Sequence, residues 1–382
     1  SNRLTGLANR EGGVALGIAT PEGEYTLHVD WLIACDGARS PTRDMLGLEF
    51  RGEAFERRFL IADVKMQAPF PTERWFWFDP PFHSGQSALL HKQPDDVWRI
   101  DLQLSPDADP EHEKRPEIVR PRIERMLGHG DFALEWVSVY RFQCRRLDRF
   151  LHGRVIFAGD AAHQVSPFGA RGANSGIQDA DNLGWKLALV LQGRSPVSLL
   201  ESYDSERGAA ADENILNSTR ATDFIAPRSP GERLLRAAAL SLAPLAPFAQ
   251  RFVNSGRLSL PSAYADSPLS TPDSGWEGGL PPGAPFLDAP LSARAGGAAW
   301  LSEALRSGRP VIIGEGTSRL ASPGVVAVEP AADTSDILRC RYALAPGDAV
   351  VLRPDGHVAA RFHAASAAEI AIAIERLEGR AS

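Results

Sequence analysis

A Gly-Asp pair and the glycine-rich loop that follows it form the stretch of this sequence best suited to bind a ligand. The apolar run Arg154–Ala158 predicts a buried strand of a parallel sheet, and Gly159 and Asp160 end it. A carboxylate at this position accepts hydrogen bonds from ligand hydroxyl groups, such as those of a sugar or a ribityl chain. Glycines in the next loop let the backbone approach a ligand closely. That loop contains Pro167, Gly169 and Gly172.

An amphipathic helix is predicted to follow the loop, over Ala173–Gln192, with Gly193 as the residue that ends it. Its expected buried stripe consists of Ile177, Ala180, Gly184, Leu187 and Leu191. The first N–H groups of a helix have no partners within the helix, so this end carries partial positive charge and suits an anion or an electron-rich carbonyl. The alternative interpretation is an ordinary strand, loop and helix whose glycines serve tight packing.

A second apolar strand followed by Asp-Gly lies near the start of the chain. Trp31–Cys35 predicts the strand, and the sequence DGARSPTR follows it at Asp36–Arg43. Ser40 is suited to cap a short helix that has Pro41 in its first turn. Taken alone, this stretch favours an ordinary strand-to-helix turn with Arg43 in solvent.

Composition and charge argue against several classes of protein. The 382 residues are 43% hydrophobic and 23% charged, as in a soluble globular protein of about two or three domains. The net charge of −7 and the lack of a basic block argue against a nucleic-acid surface, and no apolar run is long enough to span a bilayer. Cys35, Cys144 and Cys340 show no CxxC spacing, which argues against a disulfide framework or a metal site and favours a reducing, cytoplasmic location.

The two strand-end motifs together resemble those of the class A flavoprotein monooxygenases, the aromatic hydroxylases of the p-hydroxybenzoate hydroxylase type. The first motif is D-G-x-x-S-x-x-R, formed by Asp36, Gly37, Ser40 and Arg43. The second is G-D-A-A-H-x-x-x-P, formed by Gly159, Asp160, His163 and Pro167. The following FGARGANSGIQDADNLGWKL is most similar to the 3-(3-hydroxyphenyl)propionate, phenol and polyketide hydroxylases. The resemblance covers nearly the whole chain.

The resemblance implies an FAD-dependent monooxygenase. In this family NADPH or NADH reduces FAD, and dioxygen adds to the reduced flavin to give a C4a-hydroperoxide. One oxygen atom then passes to an aromatic substrate, usually a phenol. The protein's part is to bind, orient and tune the cofactor.

The same resemblance implies which residues contact the cofactor. The implied FAD-binding residues are Asp36, Gly37, Arg43, Gly159, Asp160, Pro167, Gly169, Gly172, Ala173 and Asn174. Four of them are also the catalytic candidates. Pro167 would lie against the flavin edge. The N–H groups of Gly172, Ala173 and Asn174 would stabilise negative charge on the reduced flavin.

Two further residues of the second motif have competing interpretations. His163 could act as an acid or base, but a packing or loop-fixing role is favoured for it. Arg171 is equally compatible with steering an acidic substrate or the cofactor and with an ordinary surface position.

A mixed α/β fold with an α+β insert follows from the resemblance. A partial Rossmann-like FAD-binding domain is expected over residues 1–50, and its return with long helices over 153–227. A substrate-binding antiparallel sheet is expected over 51–152, and a linker with a docking helix over 228–285. Residues 286–382 resemble a thioredoxin-like domain, with a hairpin expected over 349–361. Because this domain has no CxxC, we expect a structural role or a contact in a homodimer rather than redox chemistry.

Strand signals and turns alternate through the expected substrate domain. Strands are predicted at Arg74–Phe78 and Val97–Leu104, and a helix at Glu117–Leu127. Such a sheet would supply one wall of an aromatic pocket. The candidate substrate contacts are Trp75, Trp77, His83, His91, Trp98, Arg99 and Tyr140. For most of them a place in the hydrophobic core is the favoured interpretation, because alternating aromatic residues on a half-buried strand usually pack there.

Two alternative functions remain open from the sequence. Trp75, Trp77 and Pro80 form a W-x-W-x-x-P motif similar to the W-x-W-x-I-P of flavin-dependent halogenases, with Asp79 in place of Ile. A halogenase or another flavoenzyme of the same fold is therefore one alternative. The other is a catalytically inactive, truncated fragment, because the G-x-G-x-x-G unit that holds the ADP part of FAD in the family is absent from these residues. We expect this unit to lie in a missing N-terminal segment, which leaves open whether the chain alone retains FAD.

Overall fold

A computed structural model of the protein describes residues 2–254, 259–273, 275–291, 299–330 and 336–381. In chain order the strands are β1 (Arg3–Arg10), β2 (Gly13–Thr20), β3 (Gly23–Val29), β4 (Leu32–Ala34), β5 (Phe50–Lys65), β6 (Arg74–Phe78), β7 (Ser87–Lys92), β8 (Val97–Leu104), β9 (Ala133–Leu147), β10 (Leu151–His152), β11 (Val155–Phe157), β12 (His163–Gln164), β13 (Val311–Ile313), β14 (Val326–Val328), β15 (Ala349–Leu352) and β16 (Val358–Phe362). The helices are α1 (Pro41–Met45), α2 (Pro110–Glu113), α3 (Pro116–Leu127), α4 (Arg171–Leu191), α5 (Glu201–Ile225), α6 (Pro230–Leu242), α7 (Pro247–Asn254), α8 (Leu301–Leu305), α9 (Asp336–Tyr342) and α10 (Ala367–Leu377). In the described ranges no helix is both long and apolar enough to cross a membrane.

The strands that carry the two motifs lie side by side. β4 and β11 pair in parallel, with Ile33 opposite Ile156, and β10 extends the same small sheet. The predicted buried strand is confirmed, since all three residues of β11 are buried. Because parallel strands present their carboxyl ends at one edge of a sheet, the loops at Asp36 and Asp160 are neighbours in space. This pairing assembles the candidate site from residues more than a hundred positions apart.

A six-stranded antiparallel sheet separates the two motifs along the chain, in the strand order β12-β9-β5-β8-β7-β6. The predicted strands at Arg74–Phe78 and Val97–Leu104 are confirmed, and the predicted helix is α3, which begins one residue earlier. One face of the sheet packs on α3 and forms a core with Leu60, Ile100 and Ile123. β12 pairs with β9, so the second motif is joined directly to this sheet.

Helix α4 begins at Arg171, two residues earlier than predicted, and Gly193 follows its end in the left-handed conformation as expected. The predicted apolar stripe is wrong. Ile177 is 68% exposed and Leu191 is 57% exposed, Ala180 and Gly184 are exposed as well, and Leu187 alone of the five is buried.

The face of α4 that is buried carries mainly polar and charged side chains. It includes Ser175, Asp179, Asn182 and Lys186. These groups are accommodated because α5 and the C-terminal sheet supply charged partners to them, as described below. A search for apolar periodicity therefore selects the wrong face of this helix.

The predicted linker with one docking helix contains two helices, α6 and α7. Ser229 caps α6 in a capping box with Glu232. The break between the helices follows from proline, which lacks the N–H that a helix interior needs: Pro244 lies just beyond α6 and Pro247 begins α7.

The C-terminal residues form a four-stranded sheet of mixed direction, ordered β14-β13-β15-β16. β13 runs parallel to β14 and antiparallel to β15. The predicted hairpin is confirmed as β15 and β16, joined through Arg353–His357. The assignment to a thioredoxin-like domain stays a prediction.

Candidate active site

Arg43 connects the two motifs from the interior of the protein. Its guanidinium donates from Nη1 to the carbonyl oxygen of Ala161 at 3.3 Å and from Nη2 to that of Ala38 at 2.9 Å. The side chain is only 7% exposed and lies over the Phe50 ring, 4.0 Å from its centroid. The interpretation of Arg43 as a solvated residue is therefore wrong. It braces α1 against the turn that carries Asp160.

The Asp36 carboxylate is bound to the start of α1. It accepts a hydrogen bond from the Thr42 amide at 3.0 Å, while Ser40 caps the helix as predicted. Partial burial raises the pKa of Asp36, but hydrogen bonds from Ser40 and Thr42 outweigh this and hold the pKa below its ordinary value. Gly37 follows with φ of +81°, a conformation that favours glycine. The ionised carboxylate of Asp36 therefore holds the first motif in place at the start of α1.

A tight turn at Gly159–Ala161 places Asp160 at the surface beside a polar cavity of about 450 Å³. Ala38 and Arg39 of the first motif line the same cavity, together with Tyr140 and Gln164. No described side chain pairs with Asp160 by a hydrogen bond or an ion pair. The cavity therefore joins both motifs and presents a free carboxylate to a ligand.

The N-terminus of α4 is open to a ligand in the way the sequence predicts. Ala170 precedes the helix in the left-handed conformation, and no described side chain caps the first turn. The first turn includes Gly172, Ala173 and Asn174, whose N–H groups begin the helix. Their proposed contacts to a cofactor stay predictions.

A second cavity, of about 270 Å³, lies directly in front of this helix end. Pro167, Phe168 and Ala170 of the glycine loop form one side of it. The sheet forms the other side. Its apolar contributors are Phe59, Ile61 and Phe142, and its polar contributors are Arg74, His91, Arg99 and Asp101. The cavity thus combines aromatic walls with a charged floor.

The alternation of side chains along a strand sorts the predicted substrate residues into two groups. Trp75 and Trp77 pack with each other, with ring centroids 5.9 Å apart, on the face that meets α3. Trp98 is 2% exposed in the same core. This packing agrees with the core interpretation for all three, and residues one position away, such as Phe76, point to the other face. Their contacts to a substrate stay predictions.

The remaining predicted contacts are distributed over three places. His91 and Arg99 line the second cavity, as expected. Tyr140 lies at the polar cavity near Asp160 instead, and burial followed by the Asp160 charge raises the pKa of its hydroxyl. His83 bonds to the carbonyl oxygen of Gln103 at 2.7 Å and lines neither cavity.

Asp179 of α4 is a residue that sequence reasoning missed. Its carboxylate accepts hydrogen bonds from the Gly159 amide at 2.8 Å, from His163 Nε2 at 2.7 Å and from Arg207 Nε at 2.6 Å. Burial raises the pKa of Asp179, but His163 and Arg207 outweigh it and hold the pKa below its ordinary value. Asp179 therefore fixes the Gly-Asp turn to α4. His163 is buried, in agreement with the loop-fixing interpretation.

Arg171 is buried, so a surface position is wrong for it. Its Nη1 donates to Asn214 Oδ1 of α5 at 2.7 Å. Burial lowers the pKa of Arg171 from its ordinary value. The side chain joins the start of α4 to α5 rather than facing a ligand.

A second buried group, which we call the hairpin charge cluster, consists of Lys186, Glu206, Arg353 and Asp355. Glu206 of α5 accepts from Lys186 Nζ at 2.7 Å and from two nitrogens of Arg353 at 2.6 and 2.9 Å. Burial raises the pKa of Glu206, but Arg353 and Lys186 hold it well below its ordinary value, and burial lowers the pKa of Lys186 to about 8. The cluster binds the β15–β16 hairpin to α4 and α5. Its charges lie far apart in sequence, which is why no local motif reveals it.

Comparison with known proteins gives matches along the whole chain. Residues 1–218 match the model of an FAD binding domain. The 6-methylpretetramide 4-monooxygenase of Streptomyces rimosus is 34% identical, over 94% of this chain and 71% of that protein. A 3-(3-hydroxy-phenyl)propionate/3-hydroxycinnamic acid hydroxylase of Mycolicibacterium smegmatis is 30% identical over 66% of this chain, but the match spans only 44% of that protein. The solved structure of the anhydrotetracycline hydroxylase from Streptomyces rimosus superposes with a TM-score of 0.75 and 25% identity, over 100% of this chain and 75% of that one.

Proposed function

This chain belongs to the FAD-dependent aromatic hydroxylases, and we propose that it adds one oxygen atom of dioxygen to a phenolic substrate, with NADPH or NADH as the reductant. The observation that carries the proposal is the position of the cavity of about 270 Å³. It is lined on one side by Pro167 and Phe168 of the cofactor-binding motif and on the other by the aromatic face of the inserted sheet. A ring held there would lie beside the part of the site expected to hold the flavin.

The residues around the polar cavity fit the flavin and ribityl part of FAD. Asp160 has a free carboxylate for a ligand hydroxyl group, and the uncapped first turn of α4 suits an electron-rich carbonyl. Gly159 has φ of +61°, a conformation that favours glycine, and its Cα lies beside Gly176 of α4. The fit does not extend to the ADP part, because these residues contain no G-x-G-x-x-G.

The chain's own residues would bind, orient and shield the reactants. When bound, FAD carries the electrons from the nicotinamide to dioxygen, and that chemistry belongs to the cofactor. Phe59, Phe142 and Phe168 supply apolar walls that keep water away from the ring. The positive end of α4 stabilises negative charge at the cofactor-binding side.

The substrate is an aromatic compound, and the proposal includes molecules of more than one ring. The cavity beside Pro167 adjoins a further apolar cavity with which it shares Arg74 and Phe168. Phe76 and Phe78 line that further space, which holds only about 30 Å³. Phe224 and Phe252 line both this space and another cavity of about 680 Å³. A multi-ring phenol therefore belongs among the test substrates alongside 3-hydroxycinnamic acid.

The halogenase alternative has no structural support in the described residues. Trp75 and Trp77 of its motif pack into the core on the face of the sheet away from the cavity. Their packing explains the two tryptophans without halogenation chemistry.

The proposal extends to the compartment in which the protein works. All three cysteines are free thiols. This agrees with a reducing, cytoplasmic compartment. A homodimer contact through the C-terminal residues stays a prediction.

The test begins with an absorbance spectrum of the purified chain after addition of FAD and removal of free flavin. Retained flavin, NAD(P)H oxidation stimulated by an aromatic probe, and a product that carries oxygen from isotopically labelled dioxygen would support the proposal. A folded chain that retains flavin but forms no such product with any probe would overturn it. A chain that retains no flavin would support the alternative of an inactive fragment.

A carboxylate variant tests the cofactor side of the same proposal. Asp160→Asn is expected to weaken FAD binding about tenfold, because it removes a charged acceptor from the polar cavity. Asp131→Asn, which changes an exposed carboxylate in the inserted domain, is the matched control. Equal FAD affinity in the two variants would contradict the placement of the flavin.

A further inference from the structure

The floor of the cavity beside Pro167 contains a carboxyl group that accepts no hydrogen bond from the described residues. Asp101 of β8 is only 8% exposed, and its Oδ1 has no hydrogen-bond partner among the described residues. An unpaired buried acceptor costs about 1–3 kcal/mol of free energy. Oδ1 itself is almost inaccessible, and no described residue donates a hydrogen bond to Oδ2 either. Because Asp101 lines the cavity, a ligand there that can donate a hydrogen bond would reach Oδ2.

Charged and titratable groups on each neighbouring strand surround Asp101. Arg99 lies two residues before it on the same face of β8, but its Nε and Nη2 both donate to Asp63 of β5, each at 2.8 Å. Arg74 of β6 and His91 of β7 complete the floor. His91 Nδ1 is also buried and unpartnered among the described residues.

The protonation states of this floor follow from its burial. Burial raises the pKa of Asp101 to about 6, against the opposing effects of Arg74 and Arg99. Burial lowers the pKa of His91 to about 4, with Arg74 and Arg99 adding to the effect. At neutral pH the cavity therefore presents one carboxylate, one neutral imidazole and two guanidinium groups.

We propose that Asp101 binds the phenolic hydroxyl group of the substrate and accepts its proton, with His91 as a second polar contact. The inference rests on the proposed function, because it concerns the substrate of that reaction. A carboxylate group placed against Asp101 would be repelled by it, and a cationic group placed there would lie close to Arg74 and Arg99, which would repel it. A neutral hydroxyl group is compatible with both kinds of charge. It donates a hydrogen bond to Asp101, and its oxygen faces the guanidinium groups of Arg74 and Arg99.

The proton transfer is balanced without a further reactant. The O–H bond of the phenol breaks, an O–H bond forms on the Asp101 carboxylate, and the electron pair stays on the phenolic oxygen. Arg74 and Arg99 stabilise the negative charge that develops there. The ring gains electron density, which favours its attack on an electrophilic oxygen. A base whose pKa lies near the working pH suits this role.

The experiment compares the binding of two uncharged fluorescent probes, 2-naphthol and 2-methoxynaphthalene, to the full chain with FAD added. The wild-type protein is expected to prefer the hydroxyl probe by about tenfold or more, and the preference should grow as pH rises through about 6, when Asp101 becomes an anion. Asp101→Asn should reduce the preference to less than about threefold and remove its pH dependence, because a neutral amide forms a weaker hydrogen bond and does not titrate.

Two further variants keep the test decisive. Asp131→Asn is the matched control and should behave as the wild-type protein does. Asp101→Leu, of similar shape and without polar atoms, should also lose the hydroxyl preference, and it replaces the first variant if thermal unfolding shows that Asp101→Asn is not folded. An unchanged preference in a folded Asp101 variant, or no saturable binding of 2-naphthol to the wild-type protein, would overturn the inference.

Failure of the inference and failure of the proposed function give different results. If the preference depends on Asp101 but no probe is hydroxylated, the hydroxyl-binding site stands and the proposed reaction fails. If phenols are hydroxylated while an Asp101 variant keeps the same preference and the same pH profile, the reaction stands and the role of Asp101 fails.

Discussion

The buried carboxylates of Asp179 and Glu206 differ from that of Asp101 in how completely the protein satisfies them. Both oxygens of Asp179 accept hydrogen bonds, from Arg207 on one side and from Gly159 and His163 on the other. Both oxygens of Glu206 likewise accept from cationic side chains. Neither oxygen of Asp101 accepts a hydrogen bond from a described residue, although this side chain is also buried.

The difference follows from what each carboxylate faces. Asp179 and Glu206 lie between packed elements, where partners occupy fixed positions and a complete set of hydrogen bonds holds helices and hairpin together. Asp101 lines a cavity, so its hydrogen bonds can be made only by a molecule that enters. A complete set of protein partners thus distinguishes the carboxylates that hold the fold together from the one proposed to bind a ligand.

Glu206→Gln should produce the largest effect, because it removes the charge that compensates two buried cations, Lys186 and Arg353. Breaking a buried ion pair by removing one partner costs about 3–5 kcal/mol. Urea unfolding of the variant should show a loss of this size. Glu111→Gln removes the acid of an exposed pair with Lys114 and should leave the unfolding free energy unchanged within error. A loss of unfolding free energy below about 1 kcal/mol for Glu206→Gln would contradict the conclusion that this fully hydrogen-bonded carboxylate holds the fold together.

Asp179→Asn should cost less stability, about 2–3 kcal/mol, because the amide oxygen keeps some of the hydrogen bonds but loses the charge opposite Arg207. Since Asp179 also holds the Gly159 turn, FAD affinity should fall together with stability. The two are measured by urea unfolding and by titration with FAD. Unchanged FAD affinity in the folded variant would show that the turn keeps its position without Asp179.

Asp101→Asn should have the smallest effect on stability and the opposite sign. Because the folded pKa of Asp101 is raised to about 6, above the ordinary value of about 4, the protein loses stability as pH rises from about 4 to about 6. The variant lacks this loss. It should be more stable than the wild-type protein by about 1–2 kcal/mol at pH 7 and by much less at pH 4.

The pKa shift of His91 affects the pH dependence of stability in the opposite direction. The quantity to measure is therefore the difference in unfolding free energy between the wild-type protein and Asp101→Asn. Its folded pKa is lowered to about 4, so its contribution to stability is present above its ordinary pKa and is lost as pH falls toward about 4. Both proteins contain His91, and its effect cancels in the difference. Urea unfolding at several pH values would contradict the assignment if the difference were the same at pH 4 and pH 7.

The sequence was sufficient for the parts of the site that depend on local pattern. Apolar runs located the strands at β4 and β11, and the family resemblance carried by the motifs that end those strands implied a shared cofactor site. The cap at Ser40 and the end of α4 at Gly193 were also predictable, because each depends on residues within one turn of the chain.

Local sequence pattern did not predict which face of an element is buried where that depends on the other elements packed against it. The alternation in β6 shows that Trp75 and Phe76 face opposite ways, but only the packing of α3 against the tryptophan face makes that side the core. The stripe predicted for α4 failed for a similar reason, since its buried polar face is stabilised by partners on other elements.

The residue types and their order along the chain thus determine the family, the cofactor class and the strand and helix content, because these follow from motifs and from side-chain periodicity. The tertiary structure decides the roles of individual charges. Asp179 and Asp101 are both aspartates in regular elements, and nothing in their neighbouring residues tells them apart. The first meets Arg207 across a helix interface and the second faces a cavity, and that difference in surroundings determines whether its hydrogen bonds hold the fold or remain for a ligand.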